Sequence, residues 1–258
     1  MKIENEIESR RLAKRLNERF VKAMATYHLI EDDDRILVGL SGGKDSLLLA
    51  ELLAKRAKID HPRFSVEALH VRMENIHYET DTSYLQQFCD DLGVKLHVRT
   101  TRFEVLDESS LSNIQSSIKR RQKQPCFLCS WNRRKELFNL AQELDCNKIA
   151  LGHHQDDILH TALMNLCFQS RFASMPARLK MRKMPLTIIR PLCMIQEKDI
   201  KAYAELQGYQ KQQKLCPYEN NSHRTAIKHL YEEMERISPE ARYSIWGALE
   251  ADNKLIED

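Results

Sequence analysis

The stretch Arg35-Ile-Leu-Val-Gly-Leu40, followed at once by Ser41-Gly42-Gly43-Lys44-Asp45-Ser46, decides the fold class of this chain. A short apolar run that ends in a glycine-rich turn predicts a buried parallel strand, and the residues from Ser46 to Lys58 predict the helix that follows it. The chain has only seven glycines in 258 residues, and three of them lie between positions 39 and 43. This concentration indicates a turn whose backbone approaches a ligand closely.

Alternating strand and helix patterns continue beyond this stretch, and they predict an open parallel sheet with helices on both faces. A long amphipathic helix is expected over residues 3–28, a basic loop over 178–183, and a helical tail over 223–236 and 239–250. The further strands are predicted at 65–71, 94–99, 148–152 and 187–190, and the further helices at 81–92, 126–144, 156–166 and 196–207.

Composition excludes several classes of protein. Hydrophobic residues make up 42% and charged residues 30%, as in ordinary soluble globular proteins, and no apolar run approaches the ~20 residues that cross a bilayer. The acidic start Met1-Lys2-Ile3-Glu4 does not resemble a secretory signal, and seven cysteines are too few for a disulfide framework in a chain of this length. We therefore expect a cytoplasmic protein with no membrane partner. A net charge of +3 indicates nothing by itself about nucleic acid.

The glycine-rich turn has the residues of a phosphate site. Backbone N–H groups at a helix start favour anions, the hydroxyls of Ser41 and Ser46 can donate hydrogen bonds, Lys44 can neutralise charge, and Asp45 can hold Mg²⁺. The turn is not a Walker A loop, because three residues rather than four separate its outer glycines and an aspartate follows the lysine. A plain glycine turn, with Asp45 as a helix cap, is the alternative.

A second group, Gly152-His153-His154-Gln155-Asp156-Asp157, lies at the carboxyl end of another predicted strand, where ligands collect in open α/β sheets. One of Asp156 and Asp157 is expected to cap the following helix, and the other to act on a metal ion or a proton. The sequence leaves open which aspartate has which role.

Three cysteines form a third group. Cys126 and Cys129 lie one helical turn apart among basic residues that favour thiolates, and Cys216 lies in a polar break near the end of the chain. Three thiolates suit a 4Fe–4S cluster with one open iron; zinc would need a fourth ligand such as His154 or His223, and a persulfide is also open. The other four cysteines are predicted to be small core residues: Cys89, Cys146, Cys167 and Cys193. The basic residues are Lys119, Arg120, Arg121, Lys123, Arg133, Arg134 and Lys135.

In this order the three groups resemble the tRNA 2-thiocytidine synthetase family of PP-loop ATP pyrophosphatases, and the resemblance runs from about Arg35 to Glu233. Shorter stretches share it: Ser174-Met-Pro176, Ile189-Arg-Pro-Leu192 and Glu197-Lys-Asp-Ile200. The resemblance implies an adenine nucleotide alpha-hydrolase-like fold and an enzyme that uses ATP and Mg²⁺ to adenylate the C2 oxygen of cytidine 32 in the tRNA anticodon loop. Sulfur carried on a 4Fe–4S cluster would then replace that oxygen.

The resemblance also implies roles for individual residues. The triphosphate would be bound by Ser41, Gly42, Gly43, Lys44, Asp45 and Ser46, and Asp45 would also hold Mg²⁺. Gly152 and His153 would line the adenylate site, and His70 would line the adenine pocket. Cys126, Cys129 and Cys216 would hold the cluster, and these cysteines with Asp45, Asp156 and Asp157 would carry the chemistry. The domains would be an N-terminal helix (1–34), a nucleotide-binding domain (35–208) and a tail with the third cysteine (209–258).

The expected partners are the tRNA anticodon loop and a cysteine desulfurase or another sulfur donor; whether the chain is a homodimer is left open. The basic segments near Cys126 and Arg178 are candidate tRNA contacts, with a merely solvated charged surface as the alternative. Two other functions compete: a PP-loop enzyme of the 2-thiouridine or lysidine type, and a non-catalytic zinc-bearing RNA-binding module. The three cysteines count against lysidine-type chemistry, which has no use for thiolates. The intact Lys44 and Asp45 count against a non-catalytic module, which would not need them.

Overall fold

The computed structural model of the protein describes residues 2–78, 81–102, 125–211, 214–215 and 223–258. Within these residues the chain forms eight helices and nine strands. The helices are α1 (Lys2–Tyr27), α2 (Lys44–Arg56), α3 (Ser83–Leu92), α4 (Pro125–Glu143), α5 (Gln155–Gln169), α6 (Glu197–Gln207), α7 (His223–Ile237) and α8 (Ala241–Ala251). The strands are β1 (Asp34–Gly39), β2 (Phe64–Met73), β3 (His77–Tyr78), β4 (Lys95–Thr101), β5 (Lys148–Ala150), β6 (Arg178–Lys180), β7 (Thr187–Ile189), β8 (Lys214–Leu215) and β9 (Ile256–Glu257).

Seven of these strands form one sheet in the order β4-β2-β1-β5-β7-β6-β9. Strand β1 lies between β2 and β5 and is parallel to both. The chain proceeds from β1 outward to β2 and β4, and then crosses to β5 on the other side. The loops that follow β1 and β5 therefore diverge from a crevice at the carboxyl edge, which is where open α/β sheets bind ligands.

Helices cover both faces of the sheet, as predicted. Along β1, Ile36 and Val38 point into the large apolar core that includes residues of α1, α2, α5 and α6. Leu37, between them, points to the opposite face and packs in a second core with Leu140 and Ala141 of α4. This alternation follows from the period of two in a β-strand. It explains why β1 reads as a continuous apolar run.

The N-terminal helix α1 is part of the main core. Leu16 and Phe20 are fully buried in it, and they share one cluster with the leucines of α2. Arg15 forms an ion pair with Asp199 of α6, with 2.8 Å between Nη2 and Oδ1. Of the amphipathic face predicted over residues 3–28, the part from Leu12 to Ala23 packs in this core, whereas Ile7, predicted on the same face, is 47% exposed.

One edge of the sheet differs from the prediction. Residues 178–180, predicted to begin a basic loop, form β6, which pairs antiparallel with β7. The tail does not end in helices alone, because β9 pairs parallel with β6. A strand that reads Arg-Leu-Lys has one apolar residue and no local sign of its partners, so only the nonlocal pairing defines it.

Two further details bear on the site. Strand β2 continues to Met73, two residues beyond the predicted end, because its ladder with β4 extends to the pair Met73 and Thr101. A separate two-stranded ribbon pairs β3 with β8, with His77 opposite Leu215. Met73, at the end of β2, packs against Cys129, and β8 ends one residue before Cys216.

The cysteine predictions are confirmed in three cases and wrong in one. Cys89, Cys146 and Cys193 are buried, as expected for small core residues, whereas Cys167 is exposed near the end of α5. Its neighbours Leu166 and Phe168 are exposed as well, so the local apolar pattern there does not mark a core position. Among the described helices, none is long and apolar enough to cross a bilayer.

Candidate active site

The glycine-rich loop after β1 folds into a preformed turn at the start of α2. Gly42 has a positive φ of 81°, which L side chains rarely adopt, and Gly43 is the N-cap residue of the helix. Ser41 Oγ accepts a hydrogen bond from the Gly43 N–H at 3.3 Å, and Ser46 Oγ donates to the Gly43 carbonyl at 2.9 Å. Two hydroxyls and the first turn of a helix are thereby gathered at one point. Because Gly43 is the cap, the alternative that Asp45 caps α2 is wrong.

Gly152 brings the loop after β5 directly against this turn. A Cβ atom at position 152 would lie 3.1 Å from both the Asp45 carbonyl carbon and the Ser46 nitrogen. Both atoms belong to the backbone, so no side-chain rotation could relieve the contact. The predicted glycine-rich loop and the predicted Gly152–Asp157 group therefore form one site across the crevice between β1 and β5.

His154 starts α5 and joins the two loops. Its ring Nδ1 accepts from the Asp157 N–H, while the Asp157 carboxylate accepts from the His154 N–H, a reciprocal capping box. The ring Nε2 lies 3.5 Å from Asp157 Oδ2 and 3.9 Å from Asp45 Oδ1. Asp45 and Asp157 thus flank one histidine, and both keep 28% of their side-chain surface exposed. With its Nδ1 engaged as a cap, His154 is a poor candidate for the fourth ligand of a zinc site.

Asp156, the residue before Asp157, has Oδ2 3.6 Å from His154 Nδ1, but both of its carboxylate oxygens are engaged by other partners. Its Oδ1 accepts from Arg242 Nη2 at 2.8 Å, and its Oδ2 accepts from the Glu197 N–H at 2.7 Å. Burial acts to raise the pKa of Asp156, but these hydrogen bonds and the Arg242 charge outweigh it, so the pKa lies below its ordinary value. Asp156 is therefore an ionised anchor between α5, α6 and α8. Sequence reasoning missed Arg242, which lies 86 positions away with no motif around it.

Lys44 is held between carboxylates. Its Nζ lies 3.0 Å from Asp45 Oδ1 and 3.3 Å from Glu197 Oε1, and the other Glu197 oxygen contacts Lys228 of α7 at 3.0 Å. Burial acts to lower the pKa of Lys44, but the two carboxylates raise it above its ordinary value, so the ammonium group stays charged. Glu197 was missed as a site residue, although the stretch Glu197-Lys-Asp-Ile200 was noted as a family match.

His153 is fixed as a neutral ring. Arg190 donates from Nε to His153 Nδ1 at 3.2 Å, and its Nη1 donates to the Pro176 carbonyl at 2.5 Å. Burial, followed by the Arg190 charge, lowers the pKa of His153 to about 4. The neutral ring consequently carries its proton on Nε2. The noted stretches around Pro176 and Arg190 are connected here to the predicted adenylate site.

His70, predicted for the adenine pocket, is buried near the carboxyl end of β2 with 2% of its surface exposed. Its Nδ1 donates to the Leu40 carbonyl at 2.7 Å, so the neutral ring presents Nε2 as an acceptor. Burial lowers the pKa of His70 and favours this neutral form. Among the described residues, the buried Nε2 atom has no hydrogen-bond partner. An unpartnered buried acceptor of this kind suits a ligand donor.

The cysteine group is described only in part. Cys129 is half-buried on the inner face of α4, where it packs against Met73 and Ile76 at the end of β2. Cys126 lies on the preceding turn of the same helix, and Cys216 lies outside the described residues, directly after β8. Within the described part of the chain, no three His, Cys, Asp or Glu side chains are arranged so that they could hold a metal ion. Cys129 is nevertheless at the carboxyl edge of the sheet, as the PP-loop is.

The contact at Gly152 yields a stability prediction. We expect Gly152→Ala to lower the free energy of unfolding by about 1–3 kcal/mol, because the added methyl group overpacks against backbone. In Gly247→Ala, by contrast, the methyl group meets nothing within 4 Å on a helix, so this control should be neutral or up to about 1 kcal/mol more stable. Urea denaturation followed by circular dichroism measures both. Equal effects in the two variants would contradict the contact.

The Asp156 anchor yields a pH prediction. At pH 7, Asp156→Asn should lose about 3 kcal/mol of stability, because it breaks a buried ion pair with Arg242. A carboxyl whose folded pKa is depressed contributes stability above its unfolded pKa and loses it as pH falls through the folded value. The gap between wild type and variant should therefore shrink below about pH 4. Denaturation at several pH values tests this, with the exposed Asp60→Asn as control; a gap that stays constant down to pH 3 would contradict it.

Comparison with known proteins agrees with this geometry. A family described as a PP-loop domain matches residues 9–234. The tRNA-cytidine(32) 2-sulfurtransferase of Bordetella avium is 34% identical over 243 residues, which cover 94% of this chain and 74% of that protein. The protein of the same name from Vibrio cholerae is 33% identical, over 89% of this chain and 71% of the relative.

A solved structure is similar over nearly the whole chain. The U34-tRNA thiolase NcsA from Methanococcus maripaludis, with its 4Fe–4S cluster, superposes with a TM-score of 0.71 at 25% identity, covering 94% of this chain and 79% of that one. The match therefore includes the helices beyond the sheet as well as the PP-loop. On the family pattern and the level of identity, this chain belongs to the PP-loop superfamily and, within it, to the tRNA-cytidine(32) 2-sulfurtransferase family.

Proposed function

We propose that the protein is an ATP-dependent tRNA sulfurtransferase that converts cytidine 32 of the anticodon loop to 2-thiocytidine. The observation that carries the proposal is the meeting of three groups at one sheet edge: the PP-loop, the His154–Asp157 turn against it, and Cys129 at the end of the neighbouring strand β2. Relatives at 31–34% identity bear this activity in their names. A cytoplasmic location follows from a tRNA substrate.

The first step is adenylation. The C2 oxygen of the cytidine attacks the α-phosphorus of ATP, the α–β phosphoanhydride bond breaks, and pyrophosphate leaves. Ser41, Ser46 and the start of α2 provide hydrogen-bond donors for the phosphates, and Lys44 neutralises the charge that develops on pyrophosphate. In the structure Lys44 pairs with Asp45 and Glu197, so phosphate oxygens would replace carboxylates as its partners.

Asp45 fits a Mg²⁺ ion shared with the phosphates. Mg²⁺ is commonly held by only one or two carboxylates together with phosphate oxygens and water, so three protein ligands are not required. Asp45 is partly exposed at the start of α2 and meets this requirement. Of the adjacent aspartates 156 and 157, Asp157 is the one whose carboxylate is partly exposed beside the loop, across His154 from Asp45. We assign Asp156 the positioning role, because both of its oxygens are used by Arg242 and the Glu197 N–H.

His70, Gly152 and His153 suit the rest of the nucleotide. The Nε2 acceptor of His70 complements the exocyclic amino group of adenine, which donates hydrogen bonds. Gly152 leaves space where a side chain would meet the PP-loop backbone. His153, held neutral by Arg190, offers an N–H donor rather than a second positive charge.

The second step replaces the adenylated oxygen by sulfur. Sulfur attacks C2, the C2–O bond breaks, and AMP leaves. A three-thiolate site fits Cys126, Cys129 and Cys216. The first two share one helix, and Cys129 contacts the segment Met73–Ile76. Cys216 directly follows Leu215, which pairs with His77 just after that segment. When bound, a 4Fe–4S cluster on three thiolates supplies an open iron at which the sulfur atom can be held. Inorganic sulfide would renew this sulfur directly, whereas persulfide sulfur from a cysteine desulfurase or another donor would first need two-electron reduction, for example by thiols.

A second candidate is thiolation of uridine 34, because the similar solved structure is a U34-tRNA thiolase. Both reactions share the adenylation step and differ in the base that enters the site. The distinction therefore depends on the RNA product.

The function is tested with anaerobically reconstituted protein, Mg-ATP, a sulfide source and unmodified tRNA. We expect AMP, pyrophosphate and 2-thiocytidine at position 32, measured by mass spectrometry of RNA digests, and none of the three with Lys44→Ala. 2-Thiouridine at position 34 would select the second candidate. AMP with an amine-modified base would indicate lysidine-type chemistry, and no AMP at all would indicate a binding module.

Metal analysis tests the three cysteines. Wild-type protein should contain about four iron and four acid-labile sulfide per chain, and Cys126→Ala, Cys129→Ala or Cys216→Ala should lose most of both. Cys167→Ala removes an exposed thiol outside the group and should retain wild-type iron. About one zinc and no iron in wild type would overturn the cluster and favour the zinc or persulfide alternatives.

A further inference from the structure

The first turns of α4 carry two exposed aromatic side chains. Phe127 and Trp131 are each 51% exposed, and their spacing of four residues places them on one face of the helix. The other face of the same turns carries Leu128 and Cys129, which pack against the end of β2. The helix thus holds its sulfur-bearing residue inward and two flat rings outward.

Positive charge lies on the same outward face. Arg134 and Lys135 are exposed, and the Lys135 ammonium nitrogen lies 5.8 Å from the centroid of the Trp131 ring. Aromatic rings among cations match a polyanion that also presents flat bases.

The face is close to the proposed reactive centre. Trp131 follows Cys129 by two residues, so the two side chains are separated by a rise of about 3 Å along the axis and by the width of a helix of about 10 Å. Cys129 contacts Met73 at the carboxyl end of β2, and the PP-loop follows the adjacent strand β1 at the same edge. A nucleotide that enters the centre has its neighbours in the RNA strand within reach of this face.

We propose that Phe127 and Trp131 form a stacking platform for unpaired RNA bases beside the target nucleotide, with Arg134 and Lys135 contacting the adjoining phosphates. Single-stranded loops are recognised in this way because unstacked bases offer their faces to aromatic side chains. The identity of the RNA as an anticodon loop rests on the proposed function; the stacking surface itself rests on the exposed rings and the charges around them.

The chain contains its own reporter for this contact. It has two tryptophans, and the second, Trp246, is buried and donates to Glu250 at 3.0 Å. Trp246→Phe therefore leaves Trp131 as the sole tryptophan, whose emission is excited at wavelengths that the tyrosines do not absorb. We expect saturable quenching of its fluorescence by an anticodon stem–loop, whose unpaired bases can stack on the ring, and little change with a blunt duplex of equal charge. The difference between wild type and Trp131→Phe gives the same signal if Trp246→Phe folds poorly.

Binding measurements complete the test. Trp131→Ala should weaken stem–loop binding by about 5- to 100-fold, and Trp131→Tyr should restore most of it, because base stacking needs a ring rather than a particular residue. Tyr243→Ala removes an equally exposed aromatic side chain from α8 and should bind as wild type does. Mg-ATP affinity should be unchanged in all three, since none of these rings lies in the PP-loop.

Other outcomes overturn the platform. Protection of Trp131 from acrylamide in RNA-free protein would mean that a segment of this chain covers it, and protection that grows with protein concentration would mean that a second copy does. If the wild-type protein makes 2-thiocytidine but RNA does not change the Trp131 fluorescence, the platform is wrong and the proposed function stands. If RNA quenches Trp131 but no thiolated product forms, the platform stands and the proposed function is wrong.

Discussion

The close backbone approach at Gly152 is the constraint on which the site depends. The loops that follow β1 and β5 meet there with no room for a Cβ atom, which at position 152 would lie 3.1 Å from backbone atoms of Asp45 and Ser46. This contact sets the separation between the phosphate-binding turn and the residues that begin α5. His154 and Asp157 can face Asp45 only because the two backbones touch at this point.

Charge is arranged around that contact in two networks that meet at Glu197, whose N–H belongs to one and whose carboxylate belongs to the other. One joins Asp156 to Arg242 and to the backbone of α6, and it fixes α5, α6 and α8 relative to one another. The other joins Lys44, Glu197 and Lys228, and it borders the phosphate site with a lysine whose carboxylate partners a phosphate can replace. The adjacent aspartates thus have different roles: Asp156 anchors helices, and Asp157 stays partly exposed beside the loop. This separation is consistent with a site that must bind a highly charged nucleotide without losing its framework.

Much of the fold could be predicted from the sequence because its central elements are marked locally. The apolar run of β1, the glycine turn and the left-handed Gly93 and Gly208 that end α3 and α6 are all visible as short patterns. The edge strands β6 and β9 could not be predicted, because strands of three and two residues are too short to show a pattern and are defined only by pairing with distant residues. Cys167 was misjudged for a related reason: apolar neighbours do not reveal whether a helix end is covered.

By itself, the sequence determined which chemical groups this protein has and roughly where the chain turns: a phosphate-binding loop, a histidine–aspartate group and cysteines at motif spacing. Only the tertiary structure decided which of them meet. It separated Asp156 from Asp157, added Arg242 and Glu197 to the site, and left the acceptor atom of His70 buried without a described partner. The physical reason is that motifs are encoded in neighbouring residues, whereas hydrogen bonds, burial and close backbone contacts join residues that are distant in the chain and follow only from packing.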